Sequence, residues 1–287
     1  MGFFEVNIFP PPYLLTASSS ALMASCEEQT KASTWLITGC SRGIGLECIR
    51  QLSTRLSGED ILIATCRSPR SADQLERTLH TFKAKTHILQ LDIIDEESVK
   101  RAVRDTEAIV GERGIDYLLS NAAIILNDNL TNWNFDECMS IFKTCVAGPT
   151  LVATHFIPLV SKSREKVYVN FSSNLGSVTT AWNDIYLSYS MAKSAVNMLV
   201  CGFHQIAHRS TSDLLVFQSA KMQQTYPAMK VVNIHPGWVK TDLGGPDAQI
   251  ETTESVEGML KVLQDVTNGT KETARKFWVY DGTTLPF

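Results

Sequence analysis

Short apolar runs and longer amphipathic stretches alternate along most of this chain. Trp35, Leu36 and Ile37 form the first run, which reads as a buried strand ending at Thr38-Gly39. Ile44, Cys48, Ile49, Leu52 and Leu56 follow at helical spacing. The pairing recurs: strands are expected at 61–65, 87–91, 115–119, 166–171 and 229–234, with a short last one at 277–280. Helices are expected at 71–82, Glu96–Val110, 135–160 and 186–208. On the helix Glu96–Val110, Val99, Ala102, Val103 and Val110 fall on one side. Strands alternating with helices predict a parallel sheet covered on both faces, a single doubly wound α/β domain of Rossmann type. In such sheets ligands bind beyond the carboxyl ends of the strands. Every polar cluster discussed below sits at such an end.

The bulk properties narrow the function classes. A chain of 287 residues with 44% hydrophobic content suits one large α/β domain or two small ones. With no repeat and no internal boundary, one domain is expected over 33–287. The net charge of −4 gives no electrostatic case for a nucleic-acid partner. Seven cysteines show neither a C-x-x-C pair nor ligand spacing with histidine. They read as reduced, mostly buried thiols of a cytoplasmic protein without a metal site. No apolar run is long enough for a membrane span, so none is expected. Residues 1–32 differ from the rest. Pro10-Pro11-Pro12, Ser18-Ser19-Ser20, Glu5 and the lack of a positive leader make a poor signal peptide. This stretch reads as a disordered N-terminal extension outside the fold.

Candidate chemistry begins at the first strand end. Strand, glycine turn (Gly39, Gly43, Gly45) and helix together let backbone N–H groups approach a pyrophosphate at a helix N-terminus. A second cluster follows the fifth strand, at Ser172-Ser173. Tyr189 and Lys193, four apart, share a face of the next helix. A phenol near pKa 10 is a poor acid–base group at neutral pH, and a neighbouring ammonium is expected to lower it. A serine hydroxyl on the adjacent strand end is placed to hold a carbonyl or alcohol oxygen. With a nicotinamide alongside, this is equipment for hydride transfer coupled to proton transfer. Cofactor choice follows from charge. After the second strand come Thr65-Cys66-Arg67, with no carboxylate for a ribose 2′-hydroxyl, and Arg42 stands in the glycine turn. Two guanidinium groups suit a 2′-phosphate, so NADP(H) is expected.

Together, Thr38-Gly39-x-x-x-Gly43-x-Gly45, Asn121-Ala122, Ser173, Tyr189-x-x-x-Lys193 and Pro236-Gly237 with Thr241 resemble the short-chain dehydrogenase/reductase family over about 33–287. The run His-Pro-Gly-Trp-Val-Lys-Thr-Asp-Leu-Gly-Gly (235–245), with Tyr280-Asp281-Gly282, is similar to the C-factor and sniffer branch of carbonyl reductases. The resemblance implies Tyr189 as the acid–base residue, Lys193 as its modulator and ribose ligand, and Ser173, rather than Ser172, as the substrate-orienting donor. It implies dinucleotide contacts from Gly39, Ser41, Arg42, Ile44, Gly45, Arg67, Asn121, Ala122, Tyr189 and Lys193. Asp92 and Ile93 would line the adenine, and Gly237, Val239 and Thr241 the nicotinamide. The implied activity is NADPH-dependent reduction of a small-molecule carbonyl, or the reverse, with secondary metabolism as one setting. The family leaves homodimer and homotetramer open.

Three features depart from that pattern. Ala123 replaces a glycine. Cys145 stands where the family has an asparagine that links the lysine to bulk water, and a thiol is a weak hydrogen-bonding group. This favours a second reading, a catalytically silent dinucleotide-binding sensor. Third, residues 200–218 are an atypical insertion, read either as a surface loop or, from the codons its ends allow, as a retained short intron. Residues 241–258, starting near Gly244-Gly245-Pro246, are expected to form a mobile cover over the substrate.

Overall fold

A computed structural model describes residues 32–80, 82–180, 185–208, 229–273 and 276–287. Eight described strands form one sheet in the order β3-β2-β1-β4-β5-β6-β7-β8. They are β1 Thr34–Ile37, β2 Ile61–Cys66, β3 Lys85–Gln90, β4 Tyr117–Ser120, β5 Val167–Phe171, β6 Lys230–His235, β7 Phe277–Val279 and β8 Thr284–Leu285. The pairs from β3 through β7 are all parallel. The sheet is therefore of the Rossmann type that the alternating pattern predicts. The strand order reverses between β1 and β4, and their carboxyl ends part there to open a crevice.

The helices are α1 Gly43–Arg55, α2 Asp73–Leu79, α3 Glu96–Val110, α4 Phe135–Phe142, α5 Gly148–Lys162, α6 Leu187–His208 and α7 Thr252–Thr267. Period-two alternation along the strands feeds a core on each face. Ile37, Leu119, Val169 and Ile234 pack with Leu46 and Ile49 of α1 and Met259 and Leu263 of α7. Leu36, Leu118, Tyr168 and Val231 pack on the other face with Val99 of α3 and Val152 and Phe156 of α5. Each such fully buried aliphatic side chain contributes about 1.5–3 kcal/mol.

Three expected elements differ in detail. The helix at 71–82 is a 3-10 turn, Pro69–Ser71, followed by α2. The helix at 135–160 is interrupted by a π turn, Lys143–Ala147. The last strand stops at Val279 and returns as the antiparallel β8, which has too few residues to show a pattern. The 28-residue helical stretch Phe135–Lys162 has, against expectation, the length and mean hydropathy (1.3) of a membrane span. Half of its most apolar 18-residue window is buried inside the protein, as in a core helix. Cys40, Cys48, Cys66, Cys138 and Cys145 are free and buried. The N-terminal extension lies outside the described residues, Ala32 apart. The 200–218 segment is described to His208, into which α6 continues, and 209–218 lies outside.

Candidate active site

The glycine turn is built by close approach. Gly39 (φ +74°) and Gly43 (φ +58°) take left-handed backbone that favours glycine. A β-carbon on Gly45 would stand 2.3 Å from the Gly39 carbonyl oxygen and 2.7 Å from Asn121 Nδ2. Thr38 and Asn121 clasp the turn to β4. Thr38 Oγ1 accepts from the backbone N–H of Asn121 (3.0 Å) and Ala122 (3.1 Å). Asn121 Nδ2 donates to the carbonyls of Thr38 (2.8 Å) and Gly39 (3.2 Å). Arg42 stands at the N-cap of α1 in extended backbone, and no side chain caps the helix. The first N–H groups of α1 are thus left for an anion.

A cleft of about 770 Å³ runs from this turn to the N-terminal part of α6, and it gathers every site residue expected from sequence except Gly45. Gly45 is buried behind the turn. Arg42 and Arg67 both line the cleft. Arg42 Nη1 pairs with Asp242 Oδ2 at 3.2 Å in an exposed ion pair. Among the described residues no carboxylate pairs with Arg67. Asp92 accepts from the backbone N–H of Ile94 (3.2 Å) and so shapes the loop after β3.

Ser173, two residues past the end of β5, caps a 3-10 turn, accepting from Leu175 N–H at 3.2 Å. Gly176 lets α6 approach that turn: a β-carbon there would meet the Lys193 backbone at 2.7 Å. Ser194 Oγ (3.0 Å) and Asn197 Nδ2 (3.1 Å) donate to the Gly176 carbonyl. Below lies a buried polar chain that sequence reasoning missed. Asn170 Nδ2 donates to Asn233 Oδ1 (2.6 Å). Asn197 Oδ1 accepts from Asn233 Nδ2 (2.8 Å) and Ser172 Oγ (2.5 Å). Ser172 is therefore held in the protein interior, whereas the Ser173 hydroxyl is hydrogen-bonded to Tyr189. A lone asparagine in each of two buried apolar runs, Asn170 and Asn233, was the available signal; the two stand opposite each other in register.

The electrostatics of Tyr189 reverse the sequence expectation. Burial, then the nearby Cys145, push its phenol well above the ordinary range, against the Ser173 hydrogen bond. Lys193 Nζ lies 5.4 Å from the Tyr189 ring centroid and donates to the Phe171 carbonyl at 2.6 Å. Burial lowers the Lys193 ammonium. On both groups desolvation is the largest influence. His235, at the end of β6, lines the same cleft. Its pKa falls from 6.5 to about 4, chiefly through burial and then through Lys193, with Asp281 opposing. Cys145, on the π turn, donates its thiol to the Ile124 carbonyl at 3.3 Å. The remaining cleft wall includes Ile124, Ile125, Leu175, Tyr186, Trp238 and Leu243. Loop positions like these carry no periodic signal.

Comparison with known proteins agrees with this architecture. The short chain dehydrogenase family profile matches residues 33–211. An uncharacterized oxidoreductase of Schizosaccharomyces pombe is 29% identical over 271 residues, covering 88% of this chain and 97% of that protein. A short-chain dehydrogenase of Pyricularia oryzae is 28% identical over 267 residues, covering 90% and 100%. Carbonyl reductase Sniffer of D. melanogaster superposes with a TM-score of 0.75 at 25% identity, covering 89% of this chain and 100% of that one. The NADPH-bound carbonyl reductase from chicken fatty liver superposes at 0.74 with 26% identity, covering 89% and 94%. The family match over most of the folded chain, joined to the parallel sheet and its glycine turn, places this chain in the short chain dehydrogenase family of oxidoreductases.

Proposed function

We propose that the protein is an NADPH-dependent carbonyl reductase acting on small apolar carbonyl compounds. One observation carries the reading: Ser173, Tyr189 and Lys193 line the same cleft as an anion-ready glycine turn. The residues present fit a dinucleotide. The α1 N-terminus lacks a side-chain cap, and the Gly39–Gly45 contact leaves no room for a β-carbon. Arg67 has no carboxylate partner among the described residues, and the exposed Arg42–Asp242 pair is cheap to exchange for a 2′-phosphate. The NADPH-bound carbonyl reductase from chicken fatty liver supports the same choice.

When bound, NADPH supplies the hydride. Ser173 Oγ orients the carbonyl oxygen. Tyr189, kept protonated by burial, gives its proton to that oxygen as negative charge develops there. The Lys193 ammonium steadies the resulting phenolate. A buried phenol that holds its proton suits reduction better than oxidation. Ile124, Ile125, Leu175 and Trp238 exclude water and favour apolar substrates.

A second reading, a dinucleotide-binding sensor without turnover, draws on Cys145, whose thiol is tied to Ile124 rather than to water. NADPH oxidation measured across aldehydes, ketones and quinones separates the two. Turnover supports the reductase. Tight NADPH binding with no turnover on any class supports the sensor. We place the protein in the cytoplasm, as a homodimer or homotetramer associating through α6, where Met191 is exposed.

A further inference from the structure

The helix that carries Tyr189 is capped by a residue distant in sequence. Leu187, the first residue of α6, donates its N–H to the Asp128 carbonyl at 3.1 Å. The next residue, Ser188, donates its N–H to both Asp128 carboxylate oxygens (3.2 and 3.3 Å) and its hydroxyl to Oδ2. Asp128 is 3% exposed and Ser188 fully buried. A buried carboxylate is costly unless hydrogen-bonded, and here it meets the positive end of a helix. Elsewhere caps are local: Asp95 accepts from Glu97 N–H and Asn134 from Glu137 N–H. On α6 the residue before the helix is Tyr186, in left-handed backbone (φ +58°), an uncommon state for a non-glycine residue. Its carbonyl accepts from Ser190 N–H at 2.8 Å, and its side chain lines the cleft. The cap position is therefore given to a wall residue, and the cap comes from 60 residues away.

The loop that supplies Asp128 begins at Asn121, in the clasp with Thr38, and passes through Ile124, which accepts from Cys145, and Ile125. It thus connects the end of β4, two cleft-wall residues and the residue before Tyr189. We propose that Asp128 is a positioning residue for catalysis: its carboxylate fixes the first turn of α6, and with it the Tyr189 hydroxyl, against the wall formed by Ile124 and Ile125. Asp128 does not itself line the cleft, so it acts only through Ser188 and Tyr189. The inference rests on Tyr189 being the proton donor. A displacement of about 1 Å at a reacting group costs up to about 10²-fold in rate.

The test compares Asp128→Ala and Asp128→Asn with Asp116→Ala. Asp116 is a matched control: it is also buried, accepts backbone N–H groups from Thr34 (2.9 Å) and Glu165 (3.1 Å), and lies at the opposite end of the sheet. Four quantities are read: kcat, NADPH affinity, Tm and the Tyr189 ring signal in 13C-tyrosine protein, identified by its loss in Tyr189→Phe. Asp128→Ala is expected to lower kcat by about 10²-fold, leave NADPH affinity intact and displace the Tyr189 signal. Asp128→Asn, which still accepts a hydrogen bond, restores most of kcat. Asp116→Ala loses Tm but keeps kcat and the Tyr189 signal. Equal behaviour of Asp128→Ala and Asp116→Ala overturns the proposal. Should Asp128→Ala fail to fold, Ser188→Ala decides: lowered kcat with a displaced ring signal supports the proposal, and unchanged kcat and ring signal overturn it. A parent protein that reduces no carbonyl refutes the reductase reading, and the Tyr189 signal alone then decides the role of Asp128.

Discussion

At the scale of single residues, burial rather than charge pairing sets the chemistry of the cleft. Tyr189 holds its proton because its phenolate would be desolvated, and Lys193 is itself depressed by the same surroundings. Tyr189→Phe removes the proposed proton donor. Carbonyl reduction should fall by roughly 10²-fold or more while NADPH titrates as in the parent. Near-normal turnover in that variant would end the proposed role. Because the phenol is raised, the parent rate of reduction should stay level through neutral pH and decline only at alkaline pH. His235 makes a different prediction, about stability. Its folded pKa, about 4, lies below its ordinary 6.5. Between these values the unfolded chain binds more protons than the folded one, so stability falls as pH falls through that window. The contribution is complete above about 6.5 and is lost on passing about 4. The shift corresponds to roughly 3 kcal/mol at most. Denaturant midpoints of the parent should therefore drop more steeply from neutral to acid pH than those of His235→Asn. Parallel curves would show that the ring is not held neutral.

At the scale of elements, the glycine turn and the Tyr189 helix are positioned by opposite means. The turn depends on missing side chains. Gly45→Ala puts a β-carbon 2.3 Å from the Gly39 carbonyl oxygen, so the turn must open. NADPH affinity should be lost while circular dichroism keeps the parent helix and strand content; retained affinity would mean the turn does not hold the phosphates. The Tyr189 helix depends on added polar contacts, from Asp128 above and from Asn197, Asn233 and Ser172 below. This difference explains what was legible in the sequence. Missing side chains between an apolar run and an amphipathic helix leave a pattern, as do Leu36 and Ile37 pointing to opposite cores, so the sheet, its order of elements and the glycine turn were readable. The Asp128–Ser188 contact joins residues 60 apart and obeys no period. The asparagine chain links β5, β6 and α6 through positions that in isolation look like interruptions of buried strands. The break of 135–160 comes where the π turn Lys143–Ala147 runs into Gly148-Pro149, whose proline has no N–H to donate to the Cys145 carbonyl. The Tyr189 pKa was misjudged because spacing reports a neighbour such as Lys193 but not the depth of burial around both.

At the scale of the molecule, the cleft joins the two halves of the sheet on either side of the β1–β4 switch point. Gly39, Arg42, Arg67 and Asp92 come from the β1–β3 side, and Ser173, Tyr189, Lys193 and Gly237 from the β4–β7 side. A dinucleotide seated across it touches both halves, so its binding energy opposes global unfolding rather than local fraying. A ligand at about one hundred times its Kd adds about 2.7 kcal/mol to the folded state. For a domain of this size that corresponds to a rise of roughly 5–10 °C in Tm. The two nicotinamide cofactors differ only in the 2′-phosphate, which faces Arg67 and Arg42 in the proposed seating. A charge-assisted hydrogen bond contributes roughly 1.5–3 kcal/mol, so NADPH should raise Tm clearly more than NADH at equal concentration. Arg67→Asp puts a carboxylate where the phosphate would lie and should narrow or reverse the gap, with Tm in the absence of cofactor little changed because Arg67 is exposed. Thermal melts of the parent and of Arg67→Asp with each cofactor measure all of this at once. Equal shifts by NADPH and NADH in the parent would remove the argument from Arg42 and Arg67. A preference for NADPH that survives Arg67→Asp would assign the 2′-phosphate to Arg42, released from Asp242.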